Sequence, residues 1–236
     1  MKKFILGVLA FGIVPMAAAQ SFSDDFNRAD SSDLGGDWTS VGGSATRVIG
    51  NSAGNVTNSS NLSLVNAGLF SAGYTEAAVS VDILHDGSGS TGYVALALGH
   101  NGSTASGNGL FIKVQGTNSF EFIGFYTGVN DSTESWWTDP PIFFAADSSF
   151  SSARITVWAS SATEINLGID TNFDNTFDQL YTRNLSGTGT LGTQVGLGVY
   201  GTSTSADNFV ATAVPEPTTM ALLGLGLAAI ARRKRK

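Results

Sequence analysis

The chain has 236 residues, with 19 acidic against 12 basic side chains, no cysteine and a mean hydropathy of +0.11. Without cysteine a disulfide framework and a thiolate zinc site are excluded, and 42% hydrophobic residues exclude an intrinsically disordered chain. Two of the basic residues stand in residues 1–19 and five in residues 232–236, so residues 20–213 carry five cations against eighteen acids and repel nucleic acid and anionic lipid.

The N-terminus reads as a secretory signal. Lys2 and Lys3 precede an apolar run over residues 4–14 that can enter a bilayer as a helix; Pro15 ends it, and Ala17, Ala18 and Ala19 fit a signal peptidase site. Cleavage after Ala19 is expected, leaving residues 20–213 as the folded domain. Within that domain, apolar and polar residues alternate over residues 74–84, 93–98, 110–114, 120–126, 153–159, 164–169, 195–200 and 208–213, with Asn-, Asp- and Gly-rich turns between them. Tyr181 falls on a return strand after residue 169, and the four segments from 74 to 126 are expected to form one antiparallel meander. Short strands with no intervening helix cannot make a βαβ sheet, so the expected fold class is all-β, an antiparallel two-sheet jelly-roll sandwich. A helix is expected on each side of it, in the signal and in the tail.

The tail, residues 214–236, has three parts in order: Val214-Pro215-Glu216-Pro217, an apolar stretch over residues 220–231, and Arg232-Arg233-Lys234-Arg235-Lys236. The apolar stretch is expected to form a short transmembrane helix whose end the cations would hold in the cytoplasm. This arrangement resembles the PEP-CTERM sorting signals. The resemblance implies an exosortase as partner, with Pro215, Glu216 and Pro217 as the processing motif and Arg232 and Arg233 in the basic terminus. It also implies transient inner-membrane anchoring, then release to the surface of a Gram-negative bacterium that makes an exopolysaccharide matrix.

Two stretches near the domain's ends, Asp24-Asp25-Phe26-Asn27-Arg28-Ala29-Asp30 with Leu34-Gly35-Gly36-Asp37-Trp38, and Ser205-Ala206-Asp207-Asn208-Phe209-Val210, resemble the concanavalin A-like, laminin G-like jelly rolls. The resemblance implies that the first and last strands lie side by side, with Trp38 in the core. It further implies a structural calcium between Asp24 or Asp25 and Asp207.

Oxygen ligands recur at every second position in Asp170-Thr171-Asn172-Phe173-Asp174-Asn175-Thr176-Phe177-Asp178. Asp170, Asn172, Asp174 and Asp178 are therefore candidate calcium ligands. A polar hairpin turn is the other reading, since Asn175 stands where a calcium loop places glycine and Tyr181 where it places a bidentate Glu. Trp136 and Trp137, with Tyr126, are candidates for an aromatic platform against sugar rings, or for core packing. His85 and His100 lie in turn-like segments and are expected to be exposed. Glu76, Glu121, Glu134 and Glu164 stand apart from one another, with no paired carboxylates in sequence. The function expected is thus a non-catalytic, carbohydrate-binding or structural protein of an exopolysaccharide or biofilm layer, with exopolysaccharide as its partner. A glycan hydrolase or lyase with unusually placed carboxylates is the alternative.

Overall fold

The structure is a computed structural model that describes residues 20–43, 46–57, 61–102, 109–127, 142–184 and 191–213. The expected signal and tail helices, the processing residues Pro215, Glu216, Pro217, Arg232 and Arg233, and the Trp136-Trp137 pair lie outside these residues.

Among the described residues every regular element is a strand: β1 (Ser21–Asp24), β2 (Trp38–Gly43), β3 (Arg47–Ile49), β4 (Ser52–Gly54), β5 (Asn61–Val65), β6 (Ala77–His85), β7 (Gly92–His100), β8 (Leu110–Gly116), β9 (Phe120–Thr127), β10 (Ile142–Phe150), β11 (Ser152–Ser161), β12 (Glu164–Asp170), β13 (Gln179–Asn184), β14 (Gln194–Tyr200) and β15 (Thr204–Ala213). They form two antiparallel sheets. The eight-stranded sheet runs β13-β12-β11-β6-β15-β4-β3, with β1 also on β15, and the seven-stranded sheet runs β10-β9-β8-β7-β14-β5-β2. This is the expected jelly-roll sandwich.

Period-two patterning decides which side chains enter the core. In β6, Val79, Val81 and Ile83 are buried while Ser80 and Asp82 are half-buried and Leu84 is exposed; in β11, Ile155 and Val157 face in against Arg154 and Thr156. The inward set meets Val94, Leu96, Leu98, Ile112 and Val199 of the other sheet in one continuous core. Each fully buried aliphatic side chain there contributes about 1.5–3 kcal/mol relative to exposure. β7 is buried along its whole length, because the far side of its sheet carries a second cluster of Val41, Leu62, Leu64, Ala97 and Phe111. The outer face of the eight-stranded sheet is the open one.

The first and last strands pair as expected, Ser21 opposite Thr212 and Asp24 opposite Phe209. Trp38 packs edge-on against Phe209 at 4.9 Å and Phe22 at 5.5 Å, and its indole Nε1 donates to Asp24 Oδ2 at 2.8 Å.

Two expectations are corrected. The segments from 74 to 126 are not one meander: β6 belongs to the eight-stranded sheet, and only β7 to β10 run in sequence through the other. The turn after His85 carries the chain from one sheet to the other. The histidines are buried rather than exposed, His85 at 2% and His100 at 0% accessibility. Each closes its strand in the same way: Nδ1 accepts the N–H of the glycine two residues on, Gly87 at 3.1 Å and Gly102 at 2.9 Å. Both glycines have φ of +72°, a conformation that an L side chain resists. The rings lie edge-on to Phe120 and Phe111 respectively.

Candidate functional site

Register lines up a row of charged residues on the open face. Asp207 of β15 stands opposite Asp82 of β6, Asp82 opposite Arg154 of β11, and Arg154 opposite Asp170 of β12. Arg154 grips Asp82 with two parallel hydrogen bonds, Nε to Oδ1 at 2.7 Å and Nη2 to Oδ2 at 3.0 Å. The Asp82 hydrogen bonds hold the guanidinium pKa above its ordinary value, against the effect of burial. In β15 the register shifts between Asp207 and Val210, a bulge, and Asn208 adopts a φ of +52°. Bulges re-aim side chains, and here the Asn208 amide reaches sideways to donate to Asp82 Oδ2 at 3.0 Å.

The segment 171–178 folds back over this row. Its oxygens serve its own backbone: Asp170 accepts from the N–H groups of Asp174 and Asn175, Asn172 from that of Asp174, and Asp174 from that of Thr176. Asp178 accepts both the N–H and the hydroxyl of Thr171, and these hydrogen bonds lower its pKa. Phe173 and Asn175 take φ of +60° and +68° to close the turns. Arg154 fastens the segment from below, its Nη1 donating to Asn175 Oδ1 at 3.0 Å.

Folding back presents two phenylalanines. Phe177, 42% exposed, stacks on Trp158 at 5.5 Å and 17° between planes. It lies flat on Gly168, where an added Cβ would come within 2.5 Å of the ring. Phe173, 40% exposed, lies 5.9 Å from the Arg154 guanidinium. Between them run two open clefts. One, of about 560 Å³, is lined by Phe177, Arg154, Thr156, Ser80, Asn208 and Val210; the other, of about 290 Å³, by Phe173, Asp82, Asp207, Asn208, Leu84 and Ser205.

A third cleft, of about 650 Å³, opens between β1 and the 34–37 turn and also includes Asn208. Asp24 at its wall is saturated by donors from Arg28 at 2.6 and 2.9 Å, Phe26 N at 2.9 Å and the Trp38 indole. Burial works against ionising Asp24, and these donors outweigh it, leaving its pKa low. Asp25 accepts the N–H of Asn27. Burial pushes Asp207 above the usual carboxylate range; the Asn208 N–H opposes this, and the carboxylates of Asp82, Asp25 and Asp24 reinforce it.

Register therefore brings Asp207 and Asp170 of the two acidic groups into one row through Asp82 and Arg154, while Asp24 turns toward the core and bonds Trp38. Among the described residues no three His, Cys, Asp or Glu side chains are grouped as a cation's ligands, and the loop oxygens already accept N–H donors. Tyr126 has its backbone in β9 opposite Phe111, in the other sheet. Sequence reasoning missed Asp82, Arg154, Asn208, Phe173 and Phe177. The available signal was a single charge at a mid-strand outward position in each of two segments, 74–84 and 153–159, that read as strands.

Residues 213–236 match the PEP-CTERM protein-sorting motif. No curated protein matches the chain in sequence. Among solved structures, the chain is similar to the VIP36 exoplasmic/lumenal domain in its Ca2+-bound form, at 12% identity and TM-score 0.54 over 84% of this chain and 90% of that one. The metal-free form of the same domain matches at 13% identity and TM-score 0.52, over 84% and 92%. The CBM2 module of the evolved Dit of Lactobacillus casei BL23 phage J-1 matches at 11% identity and TM-score 0.50, over 84% and 98%. The chain therefore carries a PEP-CTERM sorting motif behind an all-β jelly roll with the fold of the VIP36 exoplasmic/lumenal domain and the CBM2 module.

Proposed function

We propose that this chain is an exported surface or matrix protein of a Gram-negative bacterium, released through signal peptidase at Ala19 and exosortase at Pro215-Glu216-Pro217, whose jelly roll binds carbohydrate without cleaving it. The observation that carries the binding is the outer-face groove. Phe177 offers an open, rigidly backed ring to the apolar face of a sugar; Arg154, Asp82 and Asn208 stand beside it with their geometry fixed by mutual hydrogen bonds, and Thr156 is held by Ser80. Sites of this kind combine an apolar floor with a few convergent polar groups, and preorganisation keeps the entropy of binding low.

The same hydrogen bonds speak for a non-catalytic role. Asp82 and Asp170 are engaged as acceptors by Arg154, Asn208 and backbone N–H groups, and Asp207, the third carboxylate of the row, accepts the Asn208 N–H. Glycoside hydrolysis needs one carboxyl free to give a proton and a second free to act as base or nucleophile. The 171–178 segment works in this reading without calcium, held by Arg154 from below. A glycan array probed with the purified protein tests the proposal. Binding that is reduced at least tenfold in Phe177→Ala, with no release of shortened sugar from bound glycans, is expected; a blank array at high protein concentration overturns it.

A further inference from the structure

The three clefts on the open face are not separate. Asn208, lifted by its bulge, belongs to the wall of all three, and Val210 to two of them. From β1 across β15, β6 and β11 to β12 is four strand spacings, about 19 Å. One ring stands over each of the two smaller clefts, Phe177 and Phe173, on either side of the Arg154–Asp82 pair. We infer that this face is a continuous track for the interior of a linear, uncharged polysaccharide, gripping several consecutive sugars rather than a chain end or a single residue. The inference rests on the carbohydrate-binding reading above and specifies its ligand.

Three observations favour this class. Each cleft is open to solvent rather than enclosed, and the three adjoin through Asn208. Two exposed rings at separate points suit two sugar faces, which one monosaccharide cannot supply. The charge pattern disfavours an anionic chain: the Arg154 and Arg28 guanidiniums that line the clefts are each paired with an aspartate, Asp82 and Asp24, while Asp207 and Asp25 add further carboxylates to the lining. A uronate polymer entering here meets like charge beside guanidiniums that are already paired.

The experiment is isothermal titration of the purified protein with gluco- and manno-oligosaccharides from one to six sugars, beside a hexauronate of the same length. Wild type should bind a neutral hexasaccharide at least tenfold more tightly than the matching disaccharide and should give no heat with the hexauronate. Phe177→Ala and Phe173→Ala should each weaken the hexasaccharide while leaving the shorter sugars less affected. Val210→Trp, which fills the junction between clefts from an exposed position, should bring the hexasaccharide down to disaccharide affinity with an unchanged melting temperature. Equal affinity for one and six sugars, or tighter binding of the hexauronate, overturns the track while leaving carbohydrate binding in place. No heat with any neutral member counts against carbohydrate binding itself, and a dimer that hides Phe177 in its interface overturns both.

Discussion

Arg154 and Asp82 are Cα partners on neighbouring strands and meet through two parallel hydrogen bonds, on the face where the 171–178 segment also comes down on the same guanidinium. One side chain thus ties three elements together: β6, β11 and the segment after β12. Arg154→Met should lower stability by about 2 kcal/mol, since it removes charge-assisted hydrogen bonds from a half-exposed site. It should also increase proteolysis within residues 171–178. Urea unfolding and limited proteolysis read the two effects, and an unchanged cleavage pattern would show that Arg154 does not hold the segment.

Gly168 is the seat of the Phe177 ring. In Gly168→Ala the new Cβ would lie 2.5 Å from that ring, so the ring must lift from Trp158. The expected result is a stability loss of about 1 kcal/mol, typical of local overpacking, with a much larger loss of glycan binding. Differential scanning calorimetry and the glycan array measure these separately; full binding with the ring displaced would remove Phe177 from the site.

The self-held segment predicts indifference to metal. Melting curves in excess EDTA and in millimolar calcium should coincide. A clear rise in melting temperature with calcium would mean that Asp170, Asn172, Asp174 and Asp178 rearrange into a cation site.

His100 gives the fold a pH dependence. Burial drops its pKa from 6.5 to about 4 in the folded state, so the unfolded chain binds the proton more readily across that interval. Stability from this residue is complete above the unfolded pKa and is lost as pH falls toward the folded value. The contribution is about 3 kcal/mol. Urea unfolding at pH 7 and pH 4 should show it, and His100→Asn should flatten the slope; an unchanged slope would place the acid sensitivity elsewhere.

Much of this architecture was readable in the residues. Strands such as β6, β11 and β12 announce themselves because one face is uniformly aliphatic and the other polar, and the pairing of β1 with β15 follows from the Asp24 and Phe209 segments that the resemblance picked out. The sheet change after β6 was not readable, because period two fixes the face of a strand and says nothing of its neighbours. His85 and His100 misled because turn-like neighbours suggest exposure, whereas each imidazole serves as the cap of its own turn. Within the site, the Asp and Asn repeat at 170–178 drew attention to its oxygens. The structure gives those oxygens to the backbone and turns the interleaved Phe173 and Phe177 outward, a result that depends on long-range register with Arg154 and Gly168.

The central claim, that the open face of the eight-stranded sheet receives an uncharged glycan, is tested most directly by a nitrogen-15 NMR titration of the purified protein with a neutral hexasaccharide. Shifts should concentrate on the Asn208 side-chain amide, the Arg154 Nε–H and the backbone amides of Thr156 and residues 173–177. Shifts confined to the seven-stranded sheet, around Gln115 and Phe122, or no shifts at saturating sugar, would contradict the account.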